Sequence, residues 1–143
     1  MLHRILSAAG AACGLLVLAT CGGGSSNPPT TPPGGTPGEP AATITIRSDG
    51  TLSPNEVSID VGERVRFINQ DTRTHQPQSN PHELHNDCPP ANVPVLNPGQ
   101  SAMTGAFPTA RACGIHDHLN PDSTGLHGII RVGGAQGPGG PVY

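Results

Sequence analysis

Apolar and polar residues alternate in several short runs between residues 41 and 132, which is the pattern of half-buried β-strands. The clearest run is Val57-Ser58-Ile59-Asp60-Val61, in which every second residue is apolar. No convincing amphipathic helix lies between these runs. The pattern predicts strands at 43–47, 57–61, 64–69, 101–107, 111–118 and 129–132, of which the run 101–107 is the weakest.

Turn sequences separate the predicted strands. Ser48-Asp49-Gly50, Gly62-Glu63 and Asn97-Pro98-Gly99-Gln100 combine glycine, proline and small polar residues. Short strands joined by turns, with no helix between them, predict an all-β domain over residues 41–133, folded as an antiparallel sandwich or barrel. Its core must be built from Val, Ile, Leu and Ala, because the chain has no Trp and only three residues of the other aromatic types.

The first 21 residues predict an export signal. Arg4 precedes the small and apolar run 6–19, and three glycines follow Cys21. The stretch Leu18-Ala19-Thr20-Cys21 resembles a bacterial lipobox, although Thr20 departs from the usual Gly, Ala or Ser. The resemblance implies a lipid on Cys21 and a membrane-anchored protein of the cell envelope or periplasm. The alternative is a plain cleaved signal peptide, and both readings export the protein.

Two segments flank the predicted domain. Residues 22–40 consist mainly of Gly, Ser, Pro and Thr, so they cannot bury enough apolar surface to offset the entropy of ordering. They predict a disordered, flexible tether between the signal and the domain. Residues 134–143 are similarly rich in Gly and Pro and predict a flexible tail.

The charges of the chain are few and the histidines are clustered. A formal net charge of -3 without clustered Lys or Arg argues against a nucleic-acid partner, since phosphate neutralisation needs a basic patch. Six of the seven histidines fall between positions 75 and 127. Such clustering predicts a binding site, because single loop histidines are usually solvated.

The spacing of these histidines favours a transition-metal site. His116 and His118 are two residues apart on an extended segment, so their rings point to the same side. His75 follows a predicted strand, and neutral imidazole suits copper, zinc, iron and nickel. We predict that His75, His116 and His118 bind one ion and that His82 and His85 are further ligands. His127, alone in its loop, is expected to be solvated. Asp117 either orients an imidazole or faces water.

The segment 41–132 resembles the cupredoxins. The resemblance rests on Leu52-Ser53-Pro54, the alternating run that ends at Gly62-Glu63, the strand Val65-Arg66-Phe67-Ile68-Asn69, and His75. It implies a Greek-key β-sandwich, a copper cofactor, and His75 as a ligand. The second half departs from the blue-copper pattern: His116-Asp117-His118 and Gly125-Leu126-His127-Gly128 are similar to multicopper-oxidase motifs, and Asp117 takes the place near the blue-copper thiolate.

The cysteines predict a disulfide. Cys13 leaves with the signal and Cys21 is used in processing, so the exported domain keeps Cys88 and Cys113 in an oxidising compartment. If these two pair, no thiolate binds the metal and the site contains imidazoles only. An imidazole-only site favours copper handling, sensing or delivery at the cell envelope, without enzyme activity. Its partners would be the copper ion, a redox or copper-transfer protein, and a membrane reached through the lipid on Cys21.

Three other functions stay open on the sequence alone. The first is electron transfer at a type 1 copper site formed by His75, Cys113 and His116, with Leu126 as a non-coordinating axial neighbour. The second is a mononuclear copper redox enzyme. The third is a structural module whose histidines bind no metal.

Overall fold

The computed structural model describes residues 38–135, which form two four-stranded sheets. Two short 3-10 turns, Pro89–Ala91 and Thr124–Leu126, accompany the strands. None of the helical segments in residues 38–135 has the length and apolarity that a membrane crossing requires. The strands are β1 (Ala42–Ile46), β2 (Leu52–Ser53), β3 (Glu56–Ile59), β4 (Val65–Asn69), β5 (Pro77–Ser79), β6 (Ser101–Met103), β7 (Arg111–Asp117) and β8 (Gly128–Val132).

The strand order is that of a Greek-key sandwich, as predicted. One sheet has the order β2-β1-β4-β6 and the other β3-β8-β7-β5. The expectation of purely antiparallel sheets is wrong for two pairs, because β1 runs parallel to β4 and β3 runs parallel to β8. Between β1 and β4 the chain crosses to the other sheet and back, so it returns beside β1 in the same direction.

The alternating pattern located most of the strands correctly. Five of the predicted runs correspond to β1, β3, β4, β7 and β8, and the weak run 101–107 forms only the three-residue strand β6. The pattern missed β2 and β5. Both are two or three residues long, and β5 consists of a proline and two polar residues, so neither shows apolar alternation.

The core lies between the two sheets and is mainly aliphatic. Its two aromatic members, Phe67 and Phe107, are fully buried. Alternate residues of β1, β4 and β8 point into it, as a strand with one buried face requires. The largest fully buried aliphatic side chains are Ile44, Ile46, Val65, Leu96, Ile115, Leu126, Ile130 and Val132.

Strand β7 is buried on both faces. Every residue from Cys113 to Asp117 is buried, although successive side chains of a strand point to opposite faces. Cys113 and Ile115 belong to the core on one face. The other face carries Gly114 and His116, and it is covered by the segment 80–88, which we call the histidine loop. The histidine loop ends in the predicted Cys88–Cys113 disulfide, which the structure confirms with Cα atoms 5.7 Å apart.

Several sequence predictions lie outside the described residues. They are the export signal at 1–21 with its lipidation site Cys21, the linker up to residue 37, and the tail beyond residue 135. These remain predictions.

Candidate metal centre

Four histidines come together beside the end of β7. His116 belongs to β7 and His118 follows it, whereas His82 and His85 belong to the histidine loop. Ring centroids in this group lie between 4.7 and 6.0 Å apart in five pairs. One ligand atom each from His82, His116 and His118 can be chosen so that all three lie within 4.8 Å of one another. The structure therefore gathers four of the five histidines predicted as ligands.

The β5–β7 ladder places His116 and His118 on one face. Gln78 pairs with His116 in the register of the two strands. The amide N–H of His118 donates to the Gln76 carbonyl at 2.9 Å, which continues the ladder one residue past β7. Since residues two apart on an extended chain share a face, both imidazoles point towards the histidine loop.

The histidine loop is held in a defined conformation. The His85 carbonyl accepts hydrogen bonds from Ser79 Oγ at 2.9 Å and Asn92 Nδ2 at 2.8 Å. Glu83 and His85 have φ angles of 75° and 47°, in the left-handed region that non-glycine residues rarely adopt. Such conformations persist where surrounding contacts fix them, and they cluster at functional sites. The loop thus presents its two imidazoles in fixed positions.

The two ring nitrogens of His116 have different surroundings. Nδ1 lies 2.8 Å from Asn80 Oδ1, and because an amide oxygen only accepts, Nδ1 donates the proton. Nε2 is buried and has no hydrogen-bond partner; no other buried side-chain nitrogen or oxygen in residues 38–135 is left in this state. A buried lone pair without a partner is costly, and a metal ion would satisfy it. The residues present therefore fit a metal.

The electrostatics of the group also favour metal binding. Burial, together with the neighbouring histidines His85 and His82, lowers the pKa of His116 to about 4. Burial lowers the pKa of His85 as well, with contributions from His118 and His82. Both rings are therefore neutral at neutral pH, which is the state in which imidazole binds a metal. His85 Nε2 and His118 Nδ1 lie 3.1 Å apart and share a hydrogen bond.

His75 is not part of this group, contrary to the sequence prediction. Its Nδ1 lies 2.9 Å from Asp117 Oδ2 and its Nε2 lies 3.0 Å from Asp71 Oδ2. Hydrogen bonding from His75, with help from Arg73, holds the pKa of Asp71 well below its usual range. Burial opposes ionisation of Asp117, but hydrogen bonds from the Gln76 N–H, Asn120 and His75 lower its pKa.

Two ionised carboxylates can only accept hydrogen bonds, so both ring nitrogens of His75 must donate. His75 then has no lone pair to offer a metal. The prediction that His75, His116 and His118 surround one ion therefore needs correction: the carboxylates of Asp71 and Asp117 occupy the nitrogens of His75. The sequence leaves two roles for Asp117, orienting an imidazole or facing water. In the structure Asp117 hydrogen-bonds to an imidazole, but that imidazole is His75.

The alternative type 1 site is not formed either. It required His75, Cys113 and His116 around one ion. The sulfur of Cys113 is bonded to Cys88, and the nitrogens of His75 face carboxylates. Leu126, the proposed axial neighbour, is buried in the hydrophobic core.

A cavity adjoins the four histidines on the His82 side. It has a volume of about 350 Å³ and is lined by His82, Pro121, Asp122, Thr124 and His127. His127 Nε2 donates to the Pro121 carbonyl at 2.8 Å, and this hydrogen bond to the backbone orients the His127 ring. His127 lies outside the group of candidate ligands.

Sequence reasoning missed two residues that decide the chemistry of these histidines. Asn80 gives His116 its acceptor, and nothing in the surrounding sequence marks it, since an Asn before a Pro usually indicates only a turn. Asp71 lies four residues before His75, and this spacing was a visible signal that an acidic partner was near.

Comparison with known proteins supports the fold. No protein-family model and no curated protein matches the sequence of this chain. The purple cupredoxin from Nitrosopumilus maritimus is 24% identical with a TM-score of 0.52, and the match covers 64% of this chain and 98% of that one. A mutant plastocyanin of fern is 15% identical with a TM-score of 0.50, over 63% of this chain and 98% of that one.

A larger protein gives a similar match. The Cu-containing nitrite reductase from Thermus scotoductus SA-01 is 20% identical with a TM-score of 0.54. The match covers 68% of this chain but only 23% of the reductase, so the chain spans about a quarter of that protein. Together these structures show that the domain has the cupredoxin-like fold that the sequence predicted.

Proposed function

We propose that the domain binds one copper ion through His82, His116 and His118, with His85 alongside. The observation that carries the proposal is the buried, unpartnered Nε2 of His116. It lies within a group of imidazoles whose ligand atoms can lie within 4.8 Å of one another. A structural module with no metal would leave this nitrogen with its desolvation cost and no compensation.

The donor set favours copper among the metals that bind imidazole. An imidazole-only set suits copper, zinc and nickel, and Cu(II) has the highest affinity of the divalent series for such a site. Solved structures with this fold include a Cu-containing nitrite reductase and a Cu(I) form of amicyanin. These names describe those proteins, and they support copper as the first ion to test here.

The same donor set favours copper handling over fast electron transport. A blue-copper site depends on a cysteine thiolate, and the sulfur of Cys113 is in a disulfide. A set of four imidazoles resembles ordinary Cu(II) coordination. We therefore propose storage, sensing or delivery of copper, with a copper-transfer or redox protein as partner, and we assign no catalytic step.

The place of this activity is proposed from the sequence alone. The signal at 1–21 and Cys21 support export to the cell envelope with a lipid anchor. Expression of the full chain in a bacterium, followed by membrane fractionation and mass spectrometry of the mature N-terminus, tests this. We expect a lipid on Cys21 and loss of membrane association in Cys21→Ala. An unmodified, soluble mature chain would refute the anchor.

Copper titration of the metal-free protein tests the binding site. We expect one equivalent of Cu(II), weak visible d–d bands, nitrogen hyperfine structure in the EPR spectrum, and no free thiols. His116→Phe should lower the Cu(II) affinity by more than about 100-fold, since it removes a ligand rather than a supporting residue. His127→Gln is the matched control and should keep the affinity nearly unchanged.

Three results would contradict the proposal. The first is an intense charge-transfer band together with free thiols, which would indicate a thiolate ligand. The second is tighter binding of Zn(II) than of copper. The third is equal copper affinity in His116→Phe and the native protein.

A further inference from the structure

We infer that Asn80 is the positioning residue of the histidine group: it selects Nε2 of His116 as the metal-binding atom and keeps that ligand free of a neighbouring negative charge. The first part concerns the metal-free protein. The second part rests on the proposed copper function.

Asn80 is fixed by its own backbone. Only 3% of the surface of the whole residue is exposed. Its N–H donates to the Gly114 carbonyl at 3.0 Å, and its carbonyl accepts the Asp87 N–H at 3.0 Å. The residue is therefore held both to β7 and to the far end of the histidine loop, and its amide has little freedom to move away from His116.

Gly114 makes room for this amide. A Cβ atom at position 114 would lie 2.5 Å from Asn80 Nδ2 and 3.3 Å from Asn80 Cγ. Contacts under 3.0 Å essentially never occur, so a side chain at position 114 would displace the amide of Asn80. The glycine two residues before His116 thus allows the Asn80 side chain to lie across β7 and reach His116 Nδ1.

The contact determines the tautomer of His116. A neutral imidazole carries one proton, and the acceptor Oδ1 of Asn80 places it on Nδ1. The lone pair is then on Nε2, the atom that has no partner. Without Asn80, nothing in the described surroundings of Nδ1 would favour this tautomer, and the proton could occupy Nε2 and block it.

The neutrality of Asn80 also affects which copper oxidation state is preferred. A carboxylate that accepts from a metal-bound histidine makes the ring a more basic ligand, which favours the more highly charged ion. Asn80 supplies the same orientation without the charge. The other buried histidine in the described part of the chain, His75, contacts two carboxylates, those of Asp71 and Asp117. A neutral amide as the partner of His116 is therefore a specific feature of this site.

NMR of the metal-free protein tests the tautomer directly. Multiple-bond ¹H–¹⁵N correlation of the His116 ring should show a protonated Nδ1 and an unprotonated Nε2. Asn80→Leu and Gly114→Ala should both shift the proton towards Nε2. Ile115→Val, which alters the opposite face of β7, is the control and should leave the tautomer unchanged. A protonated Nε2 in the native protein overturns the inference even if a variant fails to fold.

Copper binding tests the role of the charge. Asn80→Asp should raise the affinity for Cu(II) relative to Cu(I) by about tenfold, which corresponds to a reduction potential lower by about 59 mV for one electron. Asn86→Asp adds the same charge at an exposed position of the histidine loop and should change the ratio much less. An equal change in both variants would overturn the role of Asn80 in selecting the oxidation state.

The two proposals can fail separately. If the tautomer follows Asn80 and Gly114 as expected but no copper binds, the copper function is wrong and the positioning role stands. If copper binds through His116 while the tautomer is indifferent to Asn80, the positioning role is wrong and the copper function stands.

Discussion

His75 and His116 are equally inaccessible, at 0% and 2% exposure, yet their surroundings differ in kind. His75 lies between the carboxylates of Asp71 and Asp117, and both of its nitrogens are used. His116 has a neutral amide on one nitrogen and nothing on the other. Asp117 and His116 are adjacent in β7. The same strand therefore supplies a carboxylate partner to His75 and also carries His116 itself.

The comparison shows that burial of a histidine does not indicate its role. A histidine whose two nitrogens both bond to carboxylates has no free ligand atom, and its contacts serve the stability of the fold. A neutral histidine with an unpaired buried nitrogen lowers the stability of the metal-free protein. A bound metal ion would satisfy that nitrogen and restore the lost stability. The four predictions that follow alter one of these environments or the histidine loop beside His116, in order of decreasing effect on stability.

The largest effect is expected from replacing His75. His75→Phe leaves two buried carboxylates without their shared partner, and breaking a buried charged pair in this way costs about 3–5 kcal/mol. His116→Phe removes one unpaired nitrogen but also leaves the buried Oδ1 of Asn80 without its donor, so in the metal-free protein the loss should be smaller, about 1–3 kcal/mol. Urea denaturation of both variants without metal provides the measurement. Equal losses of stability would show that the two environments do not differ as described.

Removal of the disulfide should have the next largest effect. Cys88→Ala with Cys113→Ala opens a covalent loop with a sequence separation of 25 residues. The chain-entropy model gives a loss of about 3 kcal/mol. Because Cys88 ends the histidine loop, copper affinity should also fall, whereas the His75 environment should be retained. Thermal denaturation and copper titration measure the two effects, and an unchanged copper affinity would show that the loop is held without the disulfide.

Acid should destabilise the protein through His116. The folded-state pKa of about 4 lies below the ordinary 6.5, so the unfolded chain binds the proton first as pH falls. Stability is therefore complete above pH 6.5, decreases as pH falls, and loses nothing further from this group below pH 4. Between pH 6.5 and pH 4.5 the loss should be about 2 kcal/mol. His116→Phe should lack this component, and identical pH profiles of the two proteins would contradict it.

The smallest effect is expected from the surface of the histidine loop. Asp87 and Arg111 form an ion pair at 2.6 Å, but both side chains are more than 40% exposed. Exposed pairs contribute about 0–1 kcal/mol. Asp87→Asn should therefore change stability and copper affinity very little at 0.15 M salt. A loss as large as that of the disulfide variant would mean that the ion pair, rather than Cys88 and Asn80, fixes the loop.

The sequence predicted correctly those features that depend on residues close to one another along the chain. Alternation located β1, β3, β4, β7 and β8, and the count of cysteines identified the pairing of Cys88 with Cys113. The spacing of His116 and His118 placed both rings on one face. These features depend on backbone geometry and composition, which sequence shows directly.

The sequence was less informative where the role of a residue depends on distant contacts. His75 follows β4 as a cupredoxin ligand would, and only the folded chain shows that Asp117, 42 residues later, lies 2.9 Å from its ring. The acceptor for His116 comes from Asn80, 36 residues earlier. Strand β5, which brings Asn80 beside β7, has no apolar pattern to reveal it. The position of a candidate ligand was thus predictable, but its hydrogen-bond partners were not.

The histidine loop is joined to β7 at both of its ends, through Asn80 to Gly114 and through Cys88 to Cys113. Residues 80–88 and 113–118 therefore form a unit with its own covalent and hydrogen-bonded boundaries. For protein engineering, a graft of this unit onto another sandwich would also have to carry Ser79 and Asn92, which hold the His85 carbonyl, and a glycine two positions before the residue that replaces His116.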